Sequence, residues 1–250
     1  MERIKLLKYI DKLLNIKKIN DSSVNGLQIE GAENIKILCG AVDASLKTIE
    51  EAAQMKAEML IVHHGIFWKN NPLVVSGFHK KRIKTALDAN LNLYAAHLPL
   101  DLHPVCGNNI QICNILGLKN IKPFGNYNGV NIGFYGEFSG KIKFNDFNTF
   151  YNKKIGRPNA VVKACGFVKK IGVVSGGGSG LFHECAELDI DTFITGEQNY
   201  TALNHALESG INIIFGGHYN TEVYGVRALL NMVHEKFKLK TYFIDIPSDI

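Results

Sequence analysis

Residues 35–43 read IKILCGAVD, and this run, together with the helices and strands after it, decides the fold. The run is short and apolar, which is typical of a buried strand. Residues 45–57, SLKTIEEAAQMKA, predict a helix that Ser45 can cap. The apolar stripe of that helix is formed by Leu46, Ile49, Ala53 and Ala57. A strand (EMLIVHH), a helix (HKKRIKTALDA, ended by Asn90) and another strand (LNLYAAH) come next.

The same β-α-β-α-β pattern returns from residue 170. KIGVVSGG, DTFITGE and INIIFGGH predict strands, and SGLFHECAEL and YTALNHALES predict helices. Each half predicts parallel strands with right-handed crossovers, and strands this apolar imply a sheet covered on both faces. We therefore predict an α/β protein whose internally duplicated halves form two similar α/β domains, residues 1–125 and 126–250.

Two segments lie outside the repeat. The N-terminal MERIKLLKYIDKLL has the spacing of an amphipathic helix. Its predicted buried side is formed by Ile4, Leu7, Ile10 and Leu14. Residues 130–166 alternate apolar residues with Gly, Asn and Lys, which predicts two or three antiparallel strands and a helix over residues 144–153. We assign this segment to the second domain, as inserted strands.

Composition limits the classes of protein. The chain has 250 residues, 46% of them apolar, which is enough for a sizeable core. Its five cysteines are irregularly spaced without a CxxC, which argues against a disulfide framework and a thiolate zinc site. No window approaches about 18 uninterrupted apolar residues, and the N-terminus is charged, unlike a signal peptide. We expect a cytoplasmic protein with no membrane contact.

Polar side chains stand where the predicted strands end. In each half the last strand ends on a histidine, and a carboxylate follows four residues later. These pairs are His97 with Asp101 and His218 with Glu222. Earlier strands end on His63 and His64 and on Glu197. Sites in parallel sheets gather at the carboxyl ends of strands, so we expect all seven residues on one rim.

A single histidine at a strand end is most often a hydrogen-bonded core residue. Several of them with carboxylates and no thiolate suit zinc, iron, manganese or nickel instead. The donors outnumber what one tetrahedral zinc needs and fit a pair of divalent ions. Since neighbours on a strand point to opposite faces, His63 and His64 would each bind a different ion.

The chain from about residue 21 to residue 226 resembles the NIF-three-like family, also labelled GTP cyclohydrolase 1 type 2. The resemblance rests on VNGLQIEG, LIVHHGIFW, YAAHLPLD, GVVSGGGSG, DTFITGEQNY and FGGHYNTE, in this order. It implies a two-metal site between two similar domains, and a toroidal homohexamer built as a trimer of dimers. The implied ligands fall on His63, His64, Asp101, His218 and Glu222. His97 matches a family histidine near the site whose role as a ligand the resemblance leaves open.

The first functional hypothesis is a metal-dependent hydrolase acting on a nucleotide or phosphoester. The family label points to opening of the purine ring of GTP, and a phosphoesterase would use the same residues. Glu197 and His97 are the candidates for a catalytic acid or base. In SGGGSG, backbone N–H groups of Gly176, Gly177, Gly178 and Ser179 could hold a phosphate. The alternative for that segment is a tight turn with close packing.

The second hypothesis is a ring-forming protein that binds DNA, with a structural or regulatory metal site. It rests on the net charge of +5 and on the run HKKRIK, where Lys80, Lys81 and Arg82 could contact phosphates. A solvated helix surface explains the same run. Against this hypothesis, the sequence contains no helix-turn-helix or zinc-finger pattern. A metal carrier without turnover is a third reading.

Overall fold

The structure is a computed structural model that describes residues 1–71 and 74–248. The chain forms two compact units, the first from Met1–Cys106 and Gly225–Ile246, the second mainly from Gly107–Tyr224. This division differs from the predicted boundary after residue 125. The reason is pairing: a strand over Lys119–Tyr127 spans that boundary and pairs with the strand over Val130–Lys143.

The first unit contains a five-stranded sheet in the order β1-β4-β3-β2-β11. Strands β2, β3, β4 and β11 run parallel, and β1 is antiparallel to β4. Its strands are β1 (Gly26–Ile29), β2 (Ile37–Asp43), β3 (Met59–His64), β4 (Asn92–Ala95) and β11 (Lys240–Phe243). Its helices are α1 (Arg3–Leu14), α2 (Leu46–Gln54), α3 (Gly77–Asp88), α4 (Leu98–Asp101) and most of α9 (His218–Phe237), with a 3₁₀ turn at Ile16–Lys18.

Both faces of this sheet are covered. Met59 and Ile61 pack on one face with residues of α1 and α9, while Leu60 and Val62 pack on the other with residues of α2 and α3. Gly40 marks where α9 lies against β2, because a Cβ there would come within 2.8 Å of Val226. The alternation along β3 therefore explains why an uninterrupted apolar run forms a parallel strand.

The second unit contains a six-stranded sheet in the order β5-β6-β8-β9-β10-β7. Strands β8, β9 and β10 are parallel, whereas β5, β6 and β7 join antiparallel. Its strands are β5 (Lys119–Tyr127), β6 (Val130–Lys143), β7 (Ala160–Val162), β8 (Phe167–Val174), β9 (Thr192–Thr195) and β10 (Asn212–Phe215). Its helices are α5 (Asn108–Leu116), α6 (Phe144–Lys154), α7 (Glu184–Glu187) and α8 (Tyr200–Ser209), and α9 begins here.

Each unit thus has three consecutive parallel strands joined by helical segments, which confirms the predicted duplication and the α/β class. The inserted segment, residues 130–166, also forms the predicted antiparallel strands, together with helix α6. Among the residues that the structure describes, no helix combines the length and apolar character needed to cross a membrane.

Three local predictions were wrong. Residues 179–188 form a 3₁₀ segment (Gly178–His183) followed by α7 rather than one helix, and a Cβ at Gly178 would overlap Val174 of β8. Helix α1 buries Leu6 in place of Ile4, which is 58% exposed. Helix α2 buries Thr48 and Ala52 beside Ile49, while Leu46 and Ala53 are only half-buried. In both helices the packed side is rotated from the predicted stripe, because tertiary contacts fix the rotation.

Candidate metal centre

Strand β3 ends on the adjacent pair His63 and His64. His63 is buried and His64 is half-buried, yet their ring centroids lie 4.7 Å apart. Nδ1 of His63 lies 2.8 Å from the carbonyl oxygen of Ala96, and Nδ1 of His64 lies 2.8 Å from Oδ1 of Asp43, its register partner on β2. Since these oxygens only accept, each Nδ1 carries the proton. Nε2 of each ring is the nitrogen with the lone pair that can bind a metal.

Gly65, directly after the two histidines, lets the side chain of Gln28 pack against the backbone. A Cβ at this position would overlap the side-chain amide of Gln28. Gln28 Oε1 accepts the N–H of Ile66 at 2.7 Å, and the indole of Trp68 donates to the Gly65 carbonyl at 3.1 Å. The Trp68 ring then stands edge-on to His97, with centroids 5.1 Å apart. These contacts therefore place an aromatic ring beside the histidines.

The H-x3-D motif forms a single helical turn. His97 precedes α4, whose Asp101 N–H donates to the His97 carbonyl at 3.2 Å. Both side chains lie beside His63, whose ring centroid is 5.0 Å from that of His97. Asp101 is buried, and its Oδ2 lies 3.5 Å from Nε2 of His63.

A buried carboxylate from the N-terminal segment holds His97. Nδ1 of His97 lies 2.8 Å from Oδ1 of Asp21, and Asn25 also contacts Asp21 at 2.8 Å. Burial raises the pKa of Asp21, but hydrogen bonds from His97, Asn25 and the Ser23 N–H outweigh it and lower that pKa to about 2. Asp21 is therefore ionised at neutral pH.

His63, His64, His97 and Asp101 together form what we call the histidine cluster. His63, His64 and His97 each offer a ligand atom, and these atoms lie within 4.8 Å of one another. In all three rings Nδ1 is engaged with an oxygen, as in most metal-binding histidines. The donor set of imidazole and carboxylate fits zinc, iron or manganese.

The second unit holds a smaller group of ligand type, which we call the His218–Glu222 pair. The two residues lie one turn apart at the start of α9, with His218 Nε2 at 3.1 Å from Oε2 of the buried Glu222. Nδ1 of His218 lies 2.7 Å from Oε1 of Glu197. Burial lowers the pKa of His218, but Glu222 and Glu197 outweigh it and raise that pKa to about 9.

The glycine-rich loop packs directly against this pair. A Cβ at Gly176, whose φ is +58°, would overlap Oε1 of Glu222. The Gly176 N–H donates to Thr221 Oγ1 at 3.0 Å, and a Cβ at Gly177 would lie 3.5 Å from Glu197. These contacts fit the close-packing alternative, and an anion here would face two carboxylates. Phosphate binding by Gly176, Gly177, Gly178 and Ser179 stays a prediction.

The other predicted binding residues lie on α3. Lys80 and Lys81 are exposed, whereas Arg82 is half-buried and its guanidinium stands over the Phe78 ring at 5.1 Å. Contact with nucleic acid at this helix stays a prediction.

Sequence reasoning missed the oxygens that hold the histidines. Asp43 lies at the end of strand β2, so the strand-end rule that predicted the ligand residues could also have found it. Asp21 and Asn25 lie in an irregular segment without periodicity, and Asp21 stands 76 positions from His97. Only the folded chain brings them together.

The Duf34/NIF3 (NGG1p interacting factor 3) family model matches residues 1–249. A curated relative from Pyrococcus horikoshii, named GTP cyclohydrolase 1 type 2 homolog, is 44% identical over the whole of both chains. A solved structure titled protein ybgI, of unknown function, has a TM-score of 0.93 at 33% identity, covering all of both chains. One from Thermus thermophilus has a TM-score of 0.90 at 35% identity with the same coverage.

Proposed function

We propose that this chain, which belongs to the Duf34/NIF3 family, binds two divalent metal ions and acts as a hydrolase on a nucleotide or phosphoester. The observation that carries the proposal is the histidine cluster, in which an oxygen holds Nδ1 of each ring. Nε2 is then the reactive nitrogen, for a metal in His63 and His64 and for a proton in His97. Curated relatives bear the name GTP cyclohydrolase 1 type 2 homolog, which makes a purine nucleotide the first substrate to test.

The proposed ligands are His63, His64 and Asp101 in the first unit and His218 and Glu222 in the second. Divalent ions held there would polarise a substrate oxygen and lower the pKa of a water. Zinc, iron and manganese all suit this donor set. The chain itself supplies the ligand geometry, because its backbone and carboxylates fix each imidazole.

His97 and Glu197 are the proposed acid–base groups. His97 has Nδ1 committed to Asp21, so its Nε2 is the atom that would take or give a proton. Glu197 holds His218 through Oε1, and its side chain is 55% exposed, which leaves Oε2 able to reach a substrate. Glu197 therefore positions His218 through Oε1, and we propose that it exchanges a proton with the substrate through Oε2.

Metal content per chain, measured by elemental mass spectrometry, tests the proposed centre. We expect about two equivalents in the wild type and fewer in His63→Ala, Glu222→Ala and His218→Ala. His205→Ala is the matched control, since His205 is exposed on α8. Loss of both ions in every ligand variant supports the prediction that both repeats contribute to the same ions. Unchanged content in His218→Ala contradicts that prediction.

Turnover tests the chemistry separately. Purified metal-loaded protein is assayed with GTP, other nucleotides and simple phosphoesters. We expect Glu197→Gln and His97→Gln to lower kcat by about 10²–10⁴-fold, the usual contribution of a positioned acid or base. No turnover of any of these compounds by protein holding two ions argues for the carrier or DNA-binding alternatives.

A second candidate is the ring-forming protein that binds DNA, favoured by the exposed neighbours Lys80 and Lys81 on α3. Phosphate contacts would give salt-dependent affinity without sequence preference. We expect Lys80→Glu with Lys81→Glu to weaken DNA binding and flatten its salt slope. Light scattering tests the predicted hexamer. Unchanged DNA binding in the double variant removes this helix from consideration.

A further inference from the structure

We propose that Asp21 is a positioning residue that fixes which nitrogen of His97 carries the proton, while Asn25 helps to hold the His97 backbone and the Asp21 carboxylate in place. The structural claim stands on the contacts around Asp21. Its consequence for catalysis rests on the proposed function, because that function assigns His97 its chemical role.

The buried carboxylate of Asp21 is surrounded by donors. Its Oδ1 accepts from His97 Nδ1 at 2.8 Å and from the Ser23 N–H at 3.0 Å. Its Oδ2 accepts from Asn25 Nδ2 at 2.8 Å and from the Leu98 N–H at 3.0 Å. An ionised carboxylate only accepts, so Nδ1 of a neutral His97 must carry the proton and Nε2 the lone pair.

The backbone of His97 is held at the same time as its ring. Asn25 Oδ1 accepts the His97 N–H at 2.8 Å, and Asp21 accepts the N–H of the next residue. Here β4 gives way to α4, at φ −93° and ψ −115° for His97. The edge-on Trp68 ring contacts the imidazole as well, 5.1 Å from its centroid. These contacts together leave the ring little freedom to rotate.

The His64–Asp43 contact is a natural comparison. The nitrogen-to-oxygen distance is 2.8 Å in both pairs, but the side chain of Asp43 is 50% exposed and that of Asp21 only 1%. Water can replace Asp43 as an acceptor, since solvent reaches it. Water has no such access to Asp21, so removing its charge should disturb His97 far more than the matching change disturbs His64.

The test is ¹⁵N NMR of histidine-labelled, metal-free protein, well above the ordinary imidazole pKa of about 6.5. His97→Gln assigns the His97 signals. We expect the wild type to show the Nδ1–H form of His97, and Asp21→Asn to shift it toward the Nε2–H form. Asn25→Ala should keep the Nδ1–H form, and Asp43→Asn should leave His97 unchanged.

Two results would overturn the inference. One is a wild-type His97 in the Nε2–H form, which needs no variant to fold. The other is an Asp21→Asn protein that keeps the Nδ1–H form of His97, even if it melts at a lower temperature, since Asp21 would then be structural only. If Asp21→Asn does not fold, the wild-type and Asn25→Ala spectra test the inference, because both should show the Nδ1–H form of His97. Absence of turnover would count against the proposed hydrolase and leave the NMR result standing.

Discussion

Single glycines set how closely the backbone approaches the ligand residues. We expect Gly176→Ala to destabilise the protein by more than about 1 kcal/mol, because φ is +58° and the new Cβ would overlap Glu222. Metal content should fall as well, since Glu222 must move. Urea unfolding and elemental analysis measure both effects. The control is Gly180→Ala, where a Cβ meets nothing within 4 Å, and equal effects of the two variants would contradict this account.

His218 should make the stability of the metal-free protein depend on pH. Its pKa is raised from 6.5 to about 9 in the folded state. A raised pKa gives stability that is complete below the unfolded value and is lost as pH rises through the folded value. We therefore expect the free energy of unfolding to decline between about pH 6.5 and pH 9 through this group.

Urea denaturation in the presence of a chelator measures this decline. His218→Gln should flatten it, because glutamine does not titrate. His205→Gln serves as the control and should keep the wild-type slope, since that side chain is exposed. A wild-type slope in His218→Gln would show that the decline comes from other groups.

The residue types of the candidate site could be predicted from sequence because strand ends concentrate chemistry in α/β folds. His63 and His64 were found in this way. The oxygens that hold the rings were not, because Asp21 pairs with His97 across 76 positions and no local pattern encodes that contact. Their identification depends on the tertiary structure.

At the scale of elements, a histidine is followed by a carboxylate one helical turn later at two places in the chain. At α4 the pair is His97 and Asp101, and at the start of α9 it is His218 and Glu222. The four-residue spacing is visible in the sequence, and in α9 it places both side chains on one face of the helix. The helical turn at residues 98–101 was not predicted, because four residues are too few for periodicity to show.

Helix caps give a matched pair of variants at this scale. Ser45 Oγ accepts the Thr48 N–H at 3.1 Å at the start of α2, whereas Ser76 precedes α3 with no side-chain cap bond. We expect Ser45→Ala to lower the free energy of unfolding by about 1 kcal/mol. Ser76→Ala should change it by less than about 0.5 kcal/mol. Urea titration measures the free energy of unfolding of both variants. Equal losses would show that the Ser45 contact is not a stabilising cap.

The strands and helices of the two repeats were largely predictable, because apolar runs and capping residues are local signals. YTALNHALES matches α8 from Tyr200 to Ser209, and Gly210 ends it in the left-handed region at φ +70°. The segment after β8 was not predictable as a 3₁₀ turn, since its conformation depends on packing of Gly178 against Val174. Such contacts decide between helix types that the sequence alone allows.

At the scale of the molecule, metal binding should stabilise the fold, because ions bind the folded chain in preference to the unfolded one. At a free metal concentration 100 times Kd, the stabilisation is about 2.7 kcal/mol per ion. For a chain of this length, a stabilisation of that size raises Tm by about 5–11 °C for each ion. Calorimetry with and without chelator measures the shift. The double variant His63→Ala with Glu222→Ala should show none, and a shift of wild-type size there would place the ions elsewhere.

The position of Trp68 has a practical consequence. It is the only tryptophan of the chain, and its indole stands 5.1 Å from the His97 ring and 6.1 Å from the His64 ring. Indole emission is quenched by a neighbouring imidazolium and altered by a nearby transition-metal ion. The wild-type protein therefore contains its own optical reporter. Excitation at the red edge of the absorption band, where tyrosine is silent, would follow ion entry and imidazole protonation in real time without any label.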